Sequence, residues 1–96
     1  MHGTAALYYE NGDIYTGSWQ DGYMHGEGYF ESKLANYVYT GQWAFGLKEG
    51  FGEKKFQSGV YNGLWKSGKK HGFGVLIQEN GPTRKYIGQW KNDHVV

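Results

Sequence analysis

His25, Glu49 and His71 are side chains that could hold a metal ion, and they recur at steps of 24 and 22 residues along this 96-residue chain. Zinc takes imidazole and carboxylate ligands of this kind at about 2 Å from one ion. The pairs Gly26-x-Gly28, Gly50-x-Gly52 and Gly72-x-Gly74 suggest a second chemistry, since bare backbone amides can cradle a phosphate. Lys66, Lys69 and Lys70 suggest a third, binding of an anionic phospholipid surface, with Lys54, Lys55, Arg84 and Lys85 in neighbouring segments. Each such cation adds about 1 kcal/mol at an acidic membrane. Catalysis has less to draw on. The nine acids are scattered over turns and polar positions, and no Gly-x-Ser-x-Gly elbow is present. With no cysteine, thiol catalysis, disulfides and cysteine-bound metals are excluded, and no catalytic residue is assigned.

What positions these groups is a repeat. Tyr-x-Gly-x-Trp occurs four times, as Tyr15-Thr-Gly17-Ser-Trp19, Tyr39-Thr-Gly41-Gln-Trp43, Tyr61-Asn-Gly63-Leu-Trp65 and Tyr86-Ile-Gly88-Gln-Trp90. The starting tyrosines lie 24, 22 and 25 residues apart, and no tryptophan falls outside the motif. Such a period marks an array in which each unit buries its apolar face against its neighbours. Within a unit, Tyr15, Gly17 and Trp19 alternate with Thr16, Ser18 and Gln20, the period-2 pattern of a strand. Asp21-Gly22 then signals a tight turn, and Glu27–Glu31 returns as a second strand. The same pattern predicts strands near Ala5–Glu10, Val38–Trp43, Phe51–Phe56, Val60–Trp65, Phe73–Gln78 and Lys85–Trp90. No stretch has apolar residues at helical spacing. The expected fold is all-β: an elongated, single-layer, twisted antiparallel sheet of stacked β-hairpin repeats.

A second block follows each motif: Asp21-Gly22-Tyr-Met-His25-Gly26-Glu-Gly28, Phe45-Gly46-Leu-Lys-Glu49-Gly50-Phe-Gly52, and Ser67-Gly68-Lys-Lys-His71-Gly72-Phe-Gly74. Asn11-Gly12, Ser58-Gly59 and Asn80-Gly81 supply turns between units, and His2-Gly3-Thr-Ala5 copies the His-Gly block, so all 17 glycines fall in repeat columns. These residues resemble the MORN (membrane occupation and recognition nexus) repeat family, whose pattern runs Tyr-x-Gly-x-Trp-x-x-Gly-x-x-His-Gly-x-Gly. The departures are Glu49 for histidine, Ala5 for glycine, Asp93 for the turn glycine, and a linker from Ser32 to Val38 that lacks a Gly turn. The units are 1–14 (partial), 15–38, 39–60, 61–85 and 86–96 (partial), one array over residues 1–96.

The repeat constrains each chemistry. At about 4.8 Å per strand, equivalent columns of adjacent units lie roughly 10 Å apart, so His25, Glu49 and His71 cannot share one ion. They are expected to pack or hydrogen-bond beside the hairpin turns, with no metal or cofactor. The glycine pairs are expected to lie beneath the Tyr and Trp rings, giving flat aromatics room over bare backbone. No Gly-x-Gly-x-x-Gly opens a helix, which weakens the phosphate reading.

Net charge is +1, unevenly spread. Residues 1–48 hold five acids and two bases, a net −3; residues 49–96 hold four acids and eight bases, a net +4. A solvated surface with protective edge lysines is the plain reading of this charge. Nucleic acid is disfavoured, because the aromatics that would stack on bases are committed to the repeat. No apolar run approaches the ~20 residues of a membrane span, and cytoplasmic residence is expected. Half-units at both ends leave strand edges unpaired, so the chain is expected to be a piece of a longer array or a module that self-associates by edge strands or head to tail.

A single-layer sheet cannot cover both of its faces, so part of the aromatic face is expected to line an open groove. The residues expected to form it are Tyr15, Trp19, Tyr39, Trp43, Tyr61, Trp65, Tyr86 and Trp90, which must also hold the sheet together. The resemblance implies a non-catalytic scaffold or adaptor, as in cytoskeletal, ciliary or membrane-proximal assemblies, binding a helical or extended segment of a partner protein. Peripheral lipid binding through Lys66, Lys69 and Lys70, or regulation of a fused catalytic domain, are the alternatives.

Overall fold

The computed structural model describes residues 3–96; Met1 and His2, which open the leading partial unit, lie outside them. Nine strands follow one another: β1 (Gly3–Tyr8), β2 (Ile14–Gln20), β3 (Tyr23–Ser32), β4 (Tyr37–Ala44), β5 (Leu47–Phe56), β6 (Gly59–Lys66), β7 (Lys69–Gln78), β8 (Arg84–Lys91) and β9 (His94–Val95). Their order in the single sheet is their order in the chain, and every pair is antiparallel. The sheet measures 43 × 25 × 16 Å. The expected all-β, single-layer hairpin array is the observed fold.

The hairpin turns explain where the strands begin. Asp21 and Gly22 have φ of 52° and 82°, and Phe45-Gly46 and Ser67-Gly68 repeat those values closely. Two left-handed residues make the turn whose twist matches that of the flanking strands. Pairing therefore resumes at Tyr23, Leu47 and Lys69, four residues before the starts expected at Glu27, Phe51 and Phe73. Asn92 and Asp93 adopt the same geometry without glycine, at φ 48° and 70°, and produce β9, which sequence reasoning did not anticipate. Asn and Asp tolerate this region better than other side chains. Between units, the Ser58-Gly59 turn moves one residue: Gln57 and Ser58 turn, while Gly59 already pairs with Phe56 and Gln78. The Ser32–Val38 linker shortens to a four-residue loop, 33–36, and the first strand runs Gly3–Tyr8 rather than Ala5–Glu10.

Inside each hairpin the register jumps. Gly17 pairs with Gly28, but the next pair is Trp19 with Met24, so Ser18 alone faces His25, Gly26 and Glu27. The same shift occurs between Gly41 and Trp43 and between Gly63 and Trp65. A left-handed glycine is one way to build a bulge, and Gly26, Gly50 and Gly72 take that conformation here at φ of 90–95°. The second glycine of each pair has a different task. Gly17, Gly28, Gly41, Gly52, Gly63, Gly74 and Gly88 stand side by side in register, a row of bare backbone across seven strands. The Tyr15, Tyr39 and Tyr61 rings lie over Gly28, Gly52 and Gly74, where a Cβ would overlap the phenol. Each hydroxyl then donates to the carbonyl three residues on, Ser18, Gln42 or Leu64, at 2.8–3.1 Å. Those are the residues that the bulge leaves without a counterpart on the next strand. Bulge, glycine row and tyrosine are thus one device.

Candidate interaction surfaces

Eight rings form one ladder on the glycine face. Each tyrosine meets the tryptophan of its own unit, and Tyr15, Tyr39 and Tyr61 also meet that of the next, edge to face. The sequence is Trp19–Tyr15 (5.4 Å), Tyr15–Trp43 (5.7 Å), Trp43–Tyr39 (5.1 Å), Tyr39–Trp65 (5.4 Å), Trp65–Tyr61 (5.2 Å), Tyr61–Trp90 (5.5 Å) and Trp90–Tyr86 (5.4 Å). Edge-to-face pairs at this separation use the quadrupoles of both rings favourably. Burial follows the neighbours available. Tyr15, Tyr39 and Tyr61 have no accessible surface, and Trp43, Trp65 and Trp90 are between 4% and 7% exposed. Trp19 has no preceding tyrosine and Tyr86 no following tryptophan, and both are only half-buried.

The structure therefore brings all eight expected groove residues together, as the floor of the face. What lies above that floor is a set of half-buried side chains packed on it, Met24, Phe30, Tyr37, Phe56 and Leu76. Lys48, Lys54 and Lys70 complete the set. The Lys48 ammonium sits 4.9 Å from the centre of the Tyr37 ring and 5.3 Å from that of Trp65; Lys54 is 4.5 Å from Tyr37, and Lys70 is 5.4 Å from Trp90. The face is rich in donors. Trp65 Nε1 donates to the Gly52 carbonyl at 3.2 Å, while the indole N–H groups of Trp19, Trp43 and Trp90 are buried without an acceptor among the described residues.

Lys66, Lys69 and Lys70 do not form one patch. Lys66 and Lys69 are paired in register on the opposite face and are exposed, whereas Lys70 pairs with Trp65 and points to the aromatic side. Adjacent residues of a strand face opposite ways, which separates Lys69 from Lys70. The opposite face also carries exposed apolar groups that sequence reasoning missed: Phe51 (58% exposed), Leu64 (41%), Phe73 (50%) and Ile87 (57%). Their signal was present. The variable positions of Tyr-x-Gly-x-Trp read Thr16, Ser18, Thr40 and Gln42 in the first two units, but Asn62, Leu64, Ile87 and Gln89 in the last two, one apolar residue in each.

Two members of the histidine column, His25 and Glu49, serve the turns. His25 Nδ1 accepts from the Phe45 amide at 3.4 Å and Glu49 Oε1 from the Ser67 amide at 3.0 Å, each tying one unit to the turn of the next. Three backbone bonds reinforce this docking: the Gly46, Gly68 and Asp93 amides donate to the Met24, Lys48 and Lys70 carbonyls at 2.9–3.0 Å. His25 and Glu49 are thus engaged one unit apart.

The family model for the MORN repeat matches residues 15–33, 39–60, 61–83 and 86–94. The chain belongs to the MORN repeat family. MORN repeats are modules often involved in protein or membrane interactions, and they are generally non-catalytic. No curated protein matches the chain. Among the described residues no helix is long and apolar enough to cross a membrane.

Titration of this MORN array should reflect its aromatic face. Burial, then the Lys54 charge, pushes the Lys48 amine down to about 8, against an opposite pull from Asp93. Burial, then Asp93, pushes the Tyr61 phenol up to about 12, and burial also raises Tyr39. An unfolded lysine keeps its proton until about pH 10.4. Between about pH 8 and that value the unfolded chain therefore binds more protons than the folded one, and stability rises with pH. Above about pH 10 the unfolded tyrosines ionise while the buried ones resist, and stability falls. The expected urea midpoint climbs from pH 7 to a maximum in the pH 9–10 range (roughly, from these shifts) and then drops. Lys48→Met should start higher and lose most of the climb. A flat wild-type profile from pH 7 to 9.5 would count against the burial assigned to Lys48.

Proposed function

We propose that this MORN array is a non-catalytic scaffold or adaptor that holds a helical or extended segment of a partner protein along its aromatic face. Its setting is a cytoplasmic assembly of cytoskeletal, ciliary or membrane-proximal type. One observation carries this reading. The sheet is a single layer, so the row Met24, Phe30, Tyr37, Phe56 and Leu76 packs on the ring ladder from one side only. Tyr15, Trp19, Tyr39, Trp43, Tyr61, Trp65, Tyr86 and Trp90 keep that row rigid, and a rigid apolar row suits recognition with little ordering cost.

A second reading is supported by the opposite face, where Lys66 and Lys69 share a surface with exposed Phe51, Leu64, Phe73 and Ile87. Apolar groups rimmed by lysines suit peripheral attachment to an anionic bilayer. One set of folded variants separates the two. In the adaptor reading, a protein captured from source-cell lysate survives about 0.5 M salt, where exposed charges are largely screened. It is lost with Met24→Glu plus Leu76→Glu and kept with Phe73→Glu. Capture indifferent to Met24 and Leu76 refutes it. Binding to phosphatidylserine vesicles that is abolished by Lys66→Glu plus Lys69→Glu would favour the bilayer instead.

A further inference from the structure

We infer that the aromatic face selects an acidic partner segment, whose carboxylates are received by Lys48, Lys54 and Lys70. The inference rests on the reading that this face takes a partner at all.

The repeat itself is the reference. In the first unit, Met24 pairs with Trp19 and Phe30 with Tyr15, and both pack on the ladder. In the second unit the same two positions hold Lys48, paired with Trp43, and Lys54, paired with Tyr39. In the third they hold Lys70, paired with Trp65, and Leu76, paired with Tyr61. Val95, paired with Trp90, returns the first of these columns to an apolar residue. Three lysines thus occupy the middle of a stripe that is apolar at both ends. A methionine or phenylalanine there demonstrably suits this ladder, so the fold does not require the charges.

Nor does the fold neutralise them with an ion pair. Among the described residues none of the three lies within 4.0 Å of a carboxylate; the ion pairs present are Lys33–Glu31 and Lys55–Glu53. Asp93 favours the charged form of Lys48 and Lys54 from beyond ion-pair distance, and its Oδ1 accepts the Lys70 backbone amide at 2.8 Å. The lysines also repel one another: Lys54 and Lys70 disfavour the charged form of Lys48, as Lys70 does that of Lys54. Contact with ring faces returns about 0.5–1 kcal/mol per exposed cation and about 2 where it is desolvated, without neutralising the charge. A charge placed on an apolar stripe with no neutralising partner breaks a local rule, the usual mark of a functional position.

The geometry favours a carboxylate-bearing segment over one compact anion. Lys48 is on β5 and Lys70 on β7, two strands apart, or roughly 10 Å. A helix rising 1.5 Å per residue covers that distance in about seven residues. The complementary segment is an amphipathic helix with acidic side chains at i and i+7 beside an apolar stripe. Its apolar stripe would lie on Met24, Phe30 and Leu76, and its acids over the three lysines.

The test uses three fluorescent 21-residue helical peptides with one leucine stripe and Glu, Gln or Lys at the flanking seventh positions. Binding to the whole array is read by anisotropy, alongside K48M/K54F/K70M, which installs the first unit's own residues. The Glu peptide should bind the native array roughly tenfold more tightly than the Gln peptide, the ratio expected of a single charge-assisted hydrogen bond. The Lys peptide should bind weakest. In the triple variant, which should melt no lower than the native array, the preference should vanish. Equal binding of all three peptides, or a Glu preference that survives the triple variant, overturns acidic selection and leaves the adaptor reading intact. Binding of none of them counts against the adaptor reading itself. Lysine-dependent binding of phosphatidylserine vesicles, with no response to the Glu peptide, would reassign the three lysines to lipid phosphate.

Discussion

Gly41→Ala is expected to unfold the array. Gly41 lies in the middle of the glycine row, between Gly28 and Gly52. A Cβ there would overlap the Gly52 Cα and stand 2.7 Å from the Phe51 carbonyl oxygen and 2.9 Å from the Tyr39 hydroxyl. Two of these obstacles are backbone in a bonded ladder, so no side chain can swing aside. Overpacking costs typically 1–3 kcal/mol where neighbours can yield. Here relief means separating β4 from β5 and expelling Tyr39, which places the cost at ~4 kcal/mol or more, in the exceptional range. That approaches the whole stability of a small domain, about 5–15 kcal/mol. Gly22→Ala is the control. A Cβ on Gly22 meets nothing within 4 Å, leaving only the strain of φ 82°, about 1–2 kcal/mol. Thermal melts by circular dichroism decide it: a Gly41→Ala protein melting within a few degrees of native would refute the glycine-row account.

Tyr39→Ala should be the most damaging change to a ring. Tyr39 touches Trp43 and Trp65 and donates to Gln42 O at 2.8 Å. Deleting a buried aromatic costs about 3–5 kcal/mol, and each edge-to-face pair adds roughly 0.5–1.5. Tyr86→Ala removes one such contact instead of two, from a ring that is already half-exposed, and should cost about half as much. Tyr39→Phe isolates the hydroxyl, about 1–2 kcal/mol for a carbonyl left without its donor. Equal losses for Tyr39→Ala and Tyr86→Ala in urea titrations would show that the ladder does not couple adjacent units.

The fold was largely legible because its determinants are local and repeated. Tyr-x-Gly-x-Trp fixes strand, face and register within five residues, and two-residue turns inside each hairpin leave little freedom there. The bulge was not legible. Gly26 and Gly28 look alike in sequence, yet one supplies a left-handed backbone and the other only the absence of a Cβ. β9 was missed for a related reason, since Asn92-Asp93 does glycine's work without glycine. The candidate surfaces were less legible than the fold. The Tyr and Trp columns identify the face, but depth depends on the stacking of adjacent units, which leaves the tyrosines as floor rather than rim. Strand parity separates Lys70 from Lys69, and it follows from sequence only once the strand is known to begin at Lys69 rather than Phe73.

The order of strands in the sheet carries a mechanical consequence. Because β1 and β9 are opposite edges and every strand bonds only to its chain neighbours, tension between the two ends loads one ladder at a time. Rupture is then peeling rather than shear, with hairpins detaching in succession from the outside. Each 22–25-residue unit released adds contour of roughly 75–90 Å at about 3.5 Å per residue. Between two anchored partners such an array would act as a compliant tether, lengthening in steps at low force and recoiling as its rings close again.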